Sequence, residues 1–423
     1  MRVLAILYCY PPLLVPAAIC YLKLVLGLRQ KGVDVEILTI TPESFSAPGG
    51  VVLRDTELAR VAPADVVEHR FTSPETSLGV RALKRFDRRR RVVYRWLEPK
   101  KREWLWPAAR FLRRQDLRRF DVILSCSQPH ANHLLGMDLQ RRTGLPWVAY
   151  FSDPWSDNPY AMFASENAAR HNRKLEDRVL ASADRVLFTS DEMRKLVLAR
   201  HPVLEERKTG VLPHAFVPEW YGPETQLAGN GKHVRMLHTG HFYGPRTPAP
   251  LFEALARLRA RKDLAHELVL TSYGTMPDEH IERARKLGLE QTLRLEATVP
   301  YLESLALMRA HDILLLVDAK LSHWSESVFL PSKLVDYLGA GKPVVAITPR
   351  EGASARVVRE TGGTVCDIED PAGIDRALAA IVTAPAAVER PCATAVQEYA
   401  LSHVAGRFVG MLDDLIRERC DSR

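Results

Sequence analysis

The chain has 423 residues and a formal net charge of +8. That length exceeds what one compact core holds and predicts two domains. With 46% hydrophobic and 26% charged residues, the composition is that of a globular protein, and no low-complexity tract or fixed-period repeat interrupts it. No run of about 20 uninterrupted apolar residues is present, as a membrane-spanning helix would need.

The opening residues, MRVLAILYCYPPLLVPAAIC, superficially fit a signal peptide, but Pro11 and Pro12 break the apolar stretch and Lys23 falls within an amphipathic pattern. They read instead as a buried strand, Val3–Tyr8, a loop, and a helix from about Ala17 closed by Gly32. Strands are expected next at Val35–Thr39, Asp121–Ser125, Trp147–Phe151 and Arg185–Thr189, with a helix over Asn172–Ala183. Around Val211–Tyr221 the pattern breaks into PHAFVPEWYGPE (213–224), whose three prolines and loss of periodicity mark a hinge. A second alternating series then begins. Its strands are expected at Val234–His238, Glu267–Thr271, Thr292–Leu295, Ile313–Val317 and Pro343–Ile347. Its helices are expected at Ala249–Arg261, Asp278–Leu287, Leu302–Ala310 and Ser332–Leu338, and a last helix at Val396–Arg419. Strands alternating with helices in this way predict parallel sheets, hence an α/β fold of two doubly wound halves. Ligands of such sheets bind beyond the carboxyl ends of the strands, so the cleft between two facing domains is the expected site.

Cys9, Cys20, Cys126, Cys366, Cys392 and Cys420 are scattered without pair or ligand spacing, which reads as reduced thiols in a cytosolic protein. The positive charge is local. Residues 81–119 hold sixteen Lys/Arg against four acids, so the remainder of the chain is net negative. Phe86, Tyr94, Trp96, Trp104 and Trp106 are interleaved with these cations. Three readings stand: a patch for an anionic membrane surface, a nucleic-acid surface, and a solvated helical face.

The most specific segment is FLPSKLVDYLGAGKPVVAI, residues 329–347. Pro331 and Ser332 stand where a helix should begin, and Ser332 can cap its free amides. That end of a helix attracts anions, and Lys333 adds a full charge to it. Asp336, one turn further on, is placed to reach a ribose hydroxyl. The bland reading is a capped helix with solvated Lys333 and Asp336. A second segment, LHTGHFYGPR (237–246), runs from a strand into a loop at Gly240, with Arg246 before the next helix; guanidinium matches phosphate oxygens in pairs. In the first half, SCSQPH (125–130) and FSDPW (151–155) end predicted strands. His133 and Asp153 are the candidate reactive groups there, with His130 competing in the same loop. A helix-surface histidine and a helix cap are their bland readings. There is no HExxH, Cys/His cluster, DxD at a strand end or GxSxG, so neither a metal site nor a nucleophilic triad is expected.

The PSK-to-GKPVV segment resembles the donor-site motif of retaining glycosyltransferases of the GT-B fold, specifically glycosyltransferase family 4. Aligned on Gly341, the family's second glutamate falls on Asp336 and its first on Val328, with Glu326 out of register. The loop at Gly240 and the SxP…H-L-x-G helix followed by DPW are similar to family members as well. Ser152 stands where the family usually has arginine, and Leu13, Leu14 and Val15 replace its N-terminal glycine pair. The resemblance implies two Rossmann-like domains facing across a cleft. It places an acceptor-side domain at residues 1–215, a nucleotide-sugar domain at 216–392, and a C-terminal helix, 393–423, packing back toward the first domain. It implies a donor site of Gly240, Arg246, Ser332, Lys333 and Asp336, with backbone near Thr298–Val299 bordering the base, and His133 or Asp153 orienting the substrates. The expected activity is transfer of a sugar from a nucleoside-diphosphate sugar to a glycan, lipid-linked or other acceptor, with retention, in cell-surface polysaccharide or glycoconjugate synthesis. No cofactor and no metal are expected beyond that substrate, and no nucleic acid partner. The expected place is the cytoplasm, peripheral on the inner membrane face through residues 81–119. The alternatives are a GT-B sugar-nucleotide epimerase and a non-catalytic binding protein of the same fold.

Overall fold

The computed structural model describes residues 1–45, 53–90, 98–161, 163–224, 232–261, 263–321 and 326–421. They divide into two compact units, Met1–Pro213 with Ser402–Arg423, and His214–Leu401.

The first unit is built on seven strands: β1 (Arg2–Ile6), β2 (Asp34–Ile40), β3 (Val67–Phe71), β4 (Val122–Cys126), β5 (Trp147–Phe151), β6 (Arg185–Phe188) and β7 (Thr209–Val211). All pair in parallel in the order β3-β2-β1-β4-β5-β6-β7. The central strands are continuous apolar runs because helices cover both faces of such a sheet; VILSC and WVAYF are buried throughout. The ladder of β1 stops at Ile6, short of the expected Tyr8, so that Tyr8 can donate to Glu75 Oε1 (2.8 Å). The helix expected from Asn172 begins at Glu166, where Ser165 accepts from the Ala168 amide at 3.2 Å and caps it. Edge strands β3 and β7 escape a periodicity reading because they are short and only half-buried.

The second unit carries β8 (His233–Thr239), β9 (Glu267–Tyr273), β10 (Leu293–Glu296), β11 (Ile313–Val317), β13 (Val344–Thr348) and β15 (Thr364–Asp367), parallel in the order β10-β9-β8-β11-β13-β15. A two-stranded pair, β12 (Glu326–Ser327) with β14 (Glu351–Gly352), lies apart from that sheet. Its core joins Met236, Phe252, Leu255, Leu315 and Ile347. The expected last helix is two: Ala393–Gln397 and Leu401–Asp421. The break falls where Tyr399 O and the Leu401 amide bond to Phe216 at 3.0 and 2.8 Å. Beyond it, Arg407 donates to Val211 O (3.1 Å) and Arg419 to Asp184 (2.6 Å), which binds residues 402–421 to the β6–β7 edge of the first unit.

Cys9, Cys126 and Cys366 are buried thiols and Cys392 and Cys420 are exposed. Trp104 is wholly buried and donates from Nε1 to Asn132 Oδ1 at 3.1 Å, so it is core and not part of an aromatic surface. Trp106 is 50% exposed. The side chains of Phe86 and Arg88–Arg90, and all of Arg91, Tyr94 and Trp96, lie outside what is described. Leu13 is buried and Leu14 and Val15 are half-buried, so the apolar N-terminal loop is partly core.

Helix Ala131–Thr143 meets β5 so closely that a Cβ at Gly136 would sit 2.4 Å from Trp147 Nε1 and 3.1 Å from Ser125 Oγ. The indole is fixed in the core, so this clash outweighs the better helix propensity of alanine. Gly136→Ala should therefore lower stability by about 1–2 kcal/mol, a fall of several degrees in Tm by thermal unfolding.

Candidate functional site

In the second unit four chain segments converge beyond the strand ends. Gly240 follows β8 with φ of +106°, a conformation that favours glycine. A side chain there would also collide with Lys333, since its Cβ would lie 2.7 Å from Nζ. Gly274, after β9 with φ of +130°, is equally constrained: its Cβ would meet Gly240 O at 2.2 Å. Lys333 stands in the first turn of helix Ser332–Ala340, and its Nζ lies 3.3 Å from His238 Nε2. An ammonium only donates, so His238 presents a lone pair there and its Nδ1 proton goes to Ser272 Oγ (3.0 Å). Burial, then Lys333 and Arg246, hold His238 well below the usual histidine range. Arg246 donates to Asp318 Oδ1 at 3.4 Å while its buried Nε has no partner. Asp318 itself is buried and accepts from Ser354 Oγ at 2.7 Å. Burial and the neighbouring Arg246 push Lys333 down to about 7, against the pull of Asp318. The arrangement is a cradle of like charges that an anion would relieve.

The structure brings Gly240, Arg246 and Lys333 together and adds His238, Asp318 and Ser354. Ser332 is the first helical residue; Pro331 precedes it at the cap position, and no side chain caps that end. The expected capping role is thus corrected: no side chain caps this end, and of its first-turn amides Leu334 N–H donates to Pro331 O at 3.0 Å. Asp336 is buried one turn on, where its carboxylate accepts from Tyr301 Oη (3.0 Å) and its carbonyl from Tyr221 Oη (2.7 Å). Lys342, by contrast, is tied to Glu224 at 2.6 Å; Lys342 and then Arg390 draw that carboxyl down to about 2. Val328 is buried and Glu326 exposed.

In the first unit His133 is wholly buried, stacked on Phe151 at 4.3 Å, with Nδ1 2.8 Å from Ser125 Oγ and Nε2 without a partner. His130 is the half-buried histidine of this loop. It stacks on Trp155 at 5.1 Å, and its Nε2 lies 3.2 Å from Asp153 O. Burial depresses both imidazoles, His130 to about 4, so both are neutral at pH 7. Asp153 accepts from Gln128 Nε2 at 2.8 Å, and burial raises its carboxyl above the ordinary range. Helix Glu166–Ser182 holds this loop: Asn172 Oδ1 accepts from Trp155 Nε1 (2.9 Å) and Glu176 from the Ser156 amide (2.8 Å). Asn172 and Glu176 carry no motif of their own and only the tertiary contact reveals them. Among the described residues no group of three or more His, Cys, Asp or Glu side chains could hold a metal ion.

Two doubly wound parallel sheets are the architecture of the GT-B fold. Residues 17–215 match the model of the glycosyl transferase 4-like domain. It is 25% identical over 282 residues to "Probable glycosyltransferase WbjE" of Pseudomonas aeruginosa. That match spans 61% of this chain and 65% of the relative. Sucrose-phosphate synthase from Thermosynechococcus elongatus superposes with a TM-score of 0.66 at 15% identity, over 99% of this chain and 100% of that one. The lipopolysaccharide outer core galactosyltransferase WaaB does so with a TM-score of 0.59 at 11% identity, over 99% and 100%.

With burial and Arg246 pushing the Lys333 amine down to about 7, an anion in the cradle would bind best once that amine is protonated. Affinity for a sugar nucleotide should fall as pH rises from 7 to 9, by at most about tenfold per unit. Calorimetry in buffers of different ionisation heat should show proton uptake, and Lys333→Met should flatten the dependence.

Proposed function

We propose that the chain transfers a sugar from a nucleoside-diphosphate sugar to a glycan or lipid-linked acceptor, with retention, in cell-surface polysaccharide synthesis. The observation that carries this reading is the cradle of Gly240, Arg246 and Lys333 at an uncapped helix start. When the bond from the anomeric carbon to the diphosphate breaks, its electron pair stays on phosphate. Fixed cations and amides aimed at that oxygen stabilise the developing charge without having to reorganise. Lys333, Arg246 and the helix start then do the work that a divalent ion does elsewhere, which is why we propose a metal-independent reaction. His130 and Asp153, a neutral imidazole and a carboxyl of raised pKa beside it, supply polar groups for sugar hydroxyls. His133 supports them from behind through Ser125 and Phe151. Asp336 remains the candidate for the ribose, reached once Tyr301 yields its hydrogen bond. The likeness to a lipopolysaccharide transferase supports the polysaccharide reading.

Lys333→Ala should abolish thermal stabilisation by UDP-, GDP- and dTDP-sugars with whichever nucleotide the wild type responds to, whereas Lys342→Ala should retain it. Equal losses would displace the site. Release of an epimerised sugar nucleotide without acceptor would replace the transferase reading with an epimerase.

The acceptor side also invites a membrane. Leu78 is 84% and Trp106 50% exposed, and Arg81, Arg85, Arg110, Arg113 and Arg114 are exposed near them in sequence. Each cation near an anionic surface contributes about 1 kcal/mol. Replacing Arg88–Arg91 with glutamine should release the protein from phosphatidylglycerol vesicles in a sedimentation assay, and an unchanged bound fraction would leave a solvated face.

A further inference from the structure

His201 closes the helix Asp191–Arg200 in the first unit and is wholly buried, yet it faces three carboxylates. Its Nδ1 lies 2.7 Å from Asp177 Oδ1. Its Nε2 lies 3.3 Å from Asp157 Oδ2 and 3.4 Å from Glu176 Oε2. A neutral imidazole carries one N–H and would turn a lone pair on one of these anions, so the ring is an imidazolium with both nitrogens protonated. The carboxyl end of a helix favours the same charge. Burial opposes it, but Asp157, Glu176 and Asp177 outweigh burial and hold the ring above the usual histidine range. Arg173 is a second cation here, 3.5 Å from Asp157 Oδ1 and donating to Arg200 O. Contact with His201 keeps Asp157 below the usual carboxylate range against burial, whereas burial raises Glu176 against the pull of His201.

These contacts converge on one loop. Glu176 is buried and accepts from both the Ser156 amide, at 2.8 Å, and the Ser156 hydroxyl. Asp157 is the next residue of the same loop. Trp155, the residue before, donates to Asn172 and stacks on His130, whose Nε2 lies 3.2 Å from Asp153 O. Well-packed apolar side chains would serve stability as well as a buried ion cluster does. What the cation adds is direction, because one nitrogen faces a carboxylate of the loop and a carboxylate of the helix at once. We propose that His201 is a positioning residue: its imidazolium draws Asp157 and Glu176 together and so sets the 152–157 loop, and with it His130 and Asp153. Without that proton two carboxylates confront each other with no cation between them, and the loop loses its anchor. The hold is complete below about 6.5, the ordinary histidine value, and is lost as pH rises through the raised value of His201. That the loop serves sugar transfer rests on the transferase reading; the contact that sets it does not.

The test reads the loop itself, by amide hydrogen exchange of residues 152–158 in the full chain, corrected for the intrinsic pH dependence of exchange. In the wild type protection should fall at least about tenfold as pH rises through the His201 midpoint, a measurement that needs no variant. That midpoint is read by NMR of the histidine rings and should lie above 6.5. His201→Gln should lose the same protection already at pH 6, and the His130 ring, held at about 4 in the wild type, should titrate nearer to 6.5. Adding Glu176→Gln keeps an acceptor for Ser156 without a charge to balance, so the double variant should regain protection. A pH-independent loop in the wild type, a His201 midpoint at or below 6.5, or protection that stays lost in the double variant overturns the proposal, the last by reducing His201 to packing. Thermal stabilisation by a sugar nucleotide reads the cradle of the other unit and should be equal in the wild type and His201→Gln. A wild type that no sugar nucleotide stabilises counts against the transferase reading and leaves the exchange result standing, so the two failures are distinct.

Discussion

A parallel sheet needs crossovers that cover both its faces, and this one constraint decides where the protein can hold polar chemistry. The strand interiors must be apolar on both sides, as VILSC, WVAYF, ILLLV and VVAIT are. Polar groups gather at the carboxyl ends of the strands and in the loops beyond them, where successive strands bring distant parts of the chain side by side. Gly240, Gly274 and Asp318 follow β8, β9 and β11, and Ser127 and Ser152 follow β4 and β5.

The cradle in the second unit differs from an ordinary ion pair in its balance of charge. Lys342 and Glu224 neutralise one another and hold structure. Among the described residues Lys333 and Arg246 share the one carboxylate Asp318, and His238 stays neutral beside them. The excess positive charge survives because glycines at 240 and 274 admit the backbone where side chains would fill the space. A site so built is held ready by the sheet, and the anion binding proposed for it would cost little reorganisation.

In the first unit the corresponding loops are stiffened from behind. Trp147 donates to Ser125 Oγ at 2.8 Å, Ser125 engages His133, and His133 stacks on Phe151. Asn172 and Glu176 fix Trp155 and Ser156, and Trp155 in turn stacks on His130. The polar groups of this loop are therefore set by core residues of β4 and β5 and by one helix, with the glycine at 136 permitting the approach.

The alternation of apolar runs with helical patterns was legible in the sequence and placed most central strands to within a residue or two. Trp147–Phe151 and Ile313–Val317 coincide with the ladder. The helix start at Ser332, Lys333 as its cation, and the glycine loop before Arg246 were legible too, because residue type and short spacing carry them. Short edge strands such as Val67–Phe71 were not, since half-buried segments lack a clear period. Nor could spacing show that Asp336 binds Tyr301, that Trp104 is core, or that His133 is sealed while His130 borders the surface. His238, Asp318, Lys333 and Ser354 span more than a hundred residues, and nothing local links them. Sequence by itself determined which residues favour strand, helix and turn, because those preferences act over a few neighbours. Tertiary structure alone decided which side chains share a charge, because that depends on the order in which parallel strands are laid side by side.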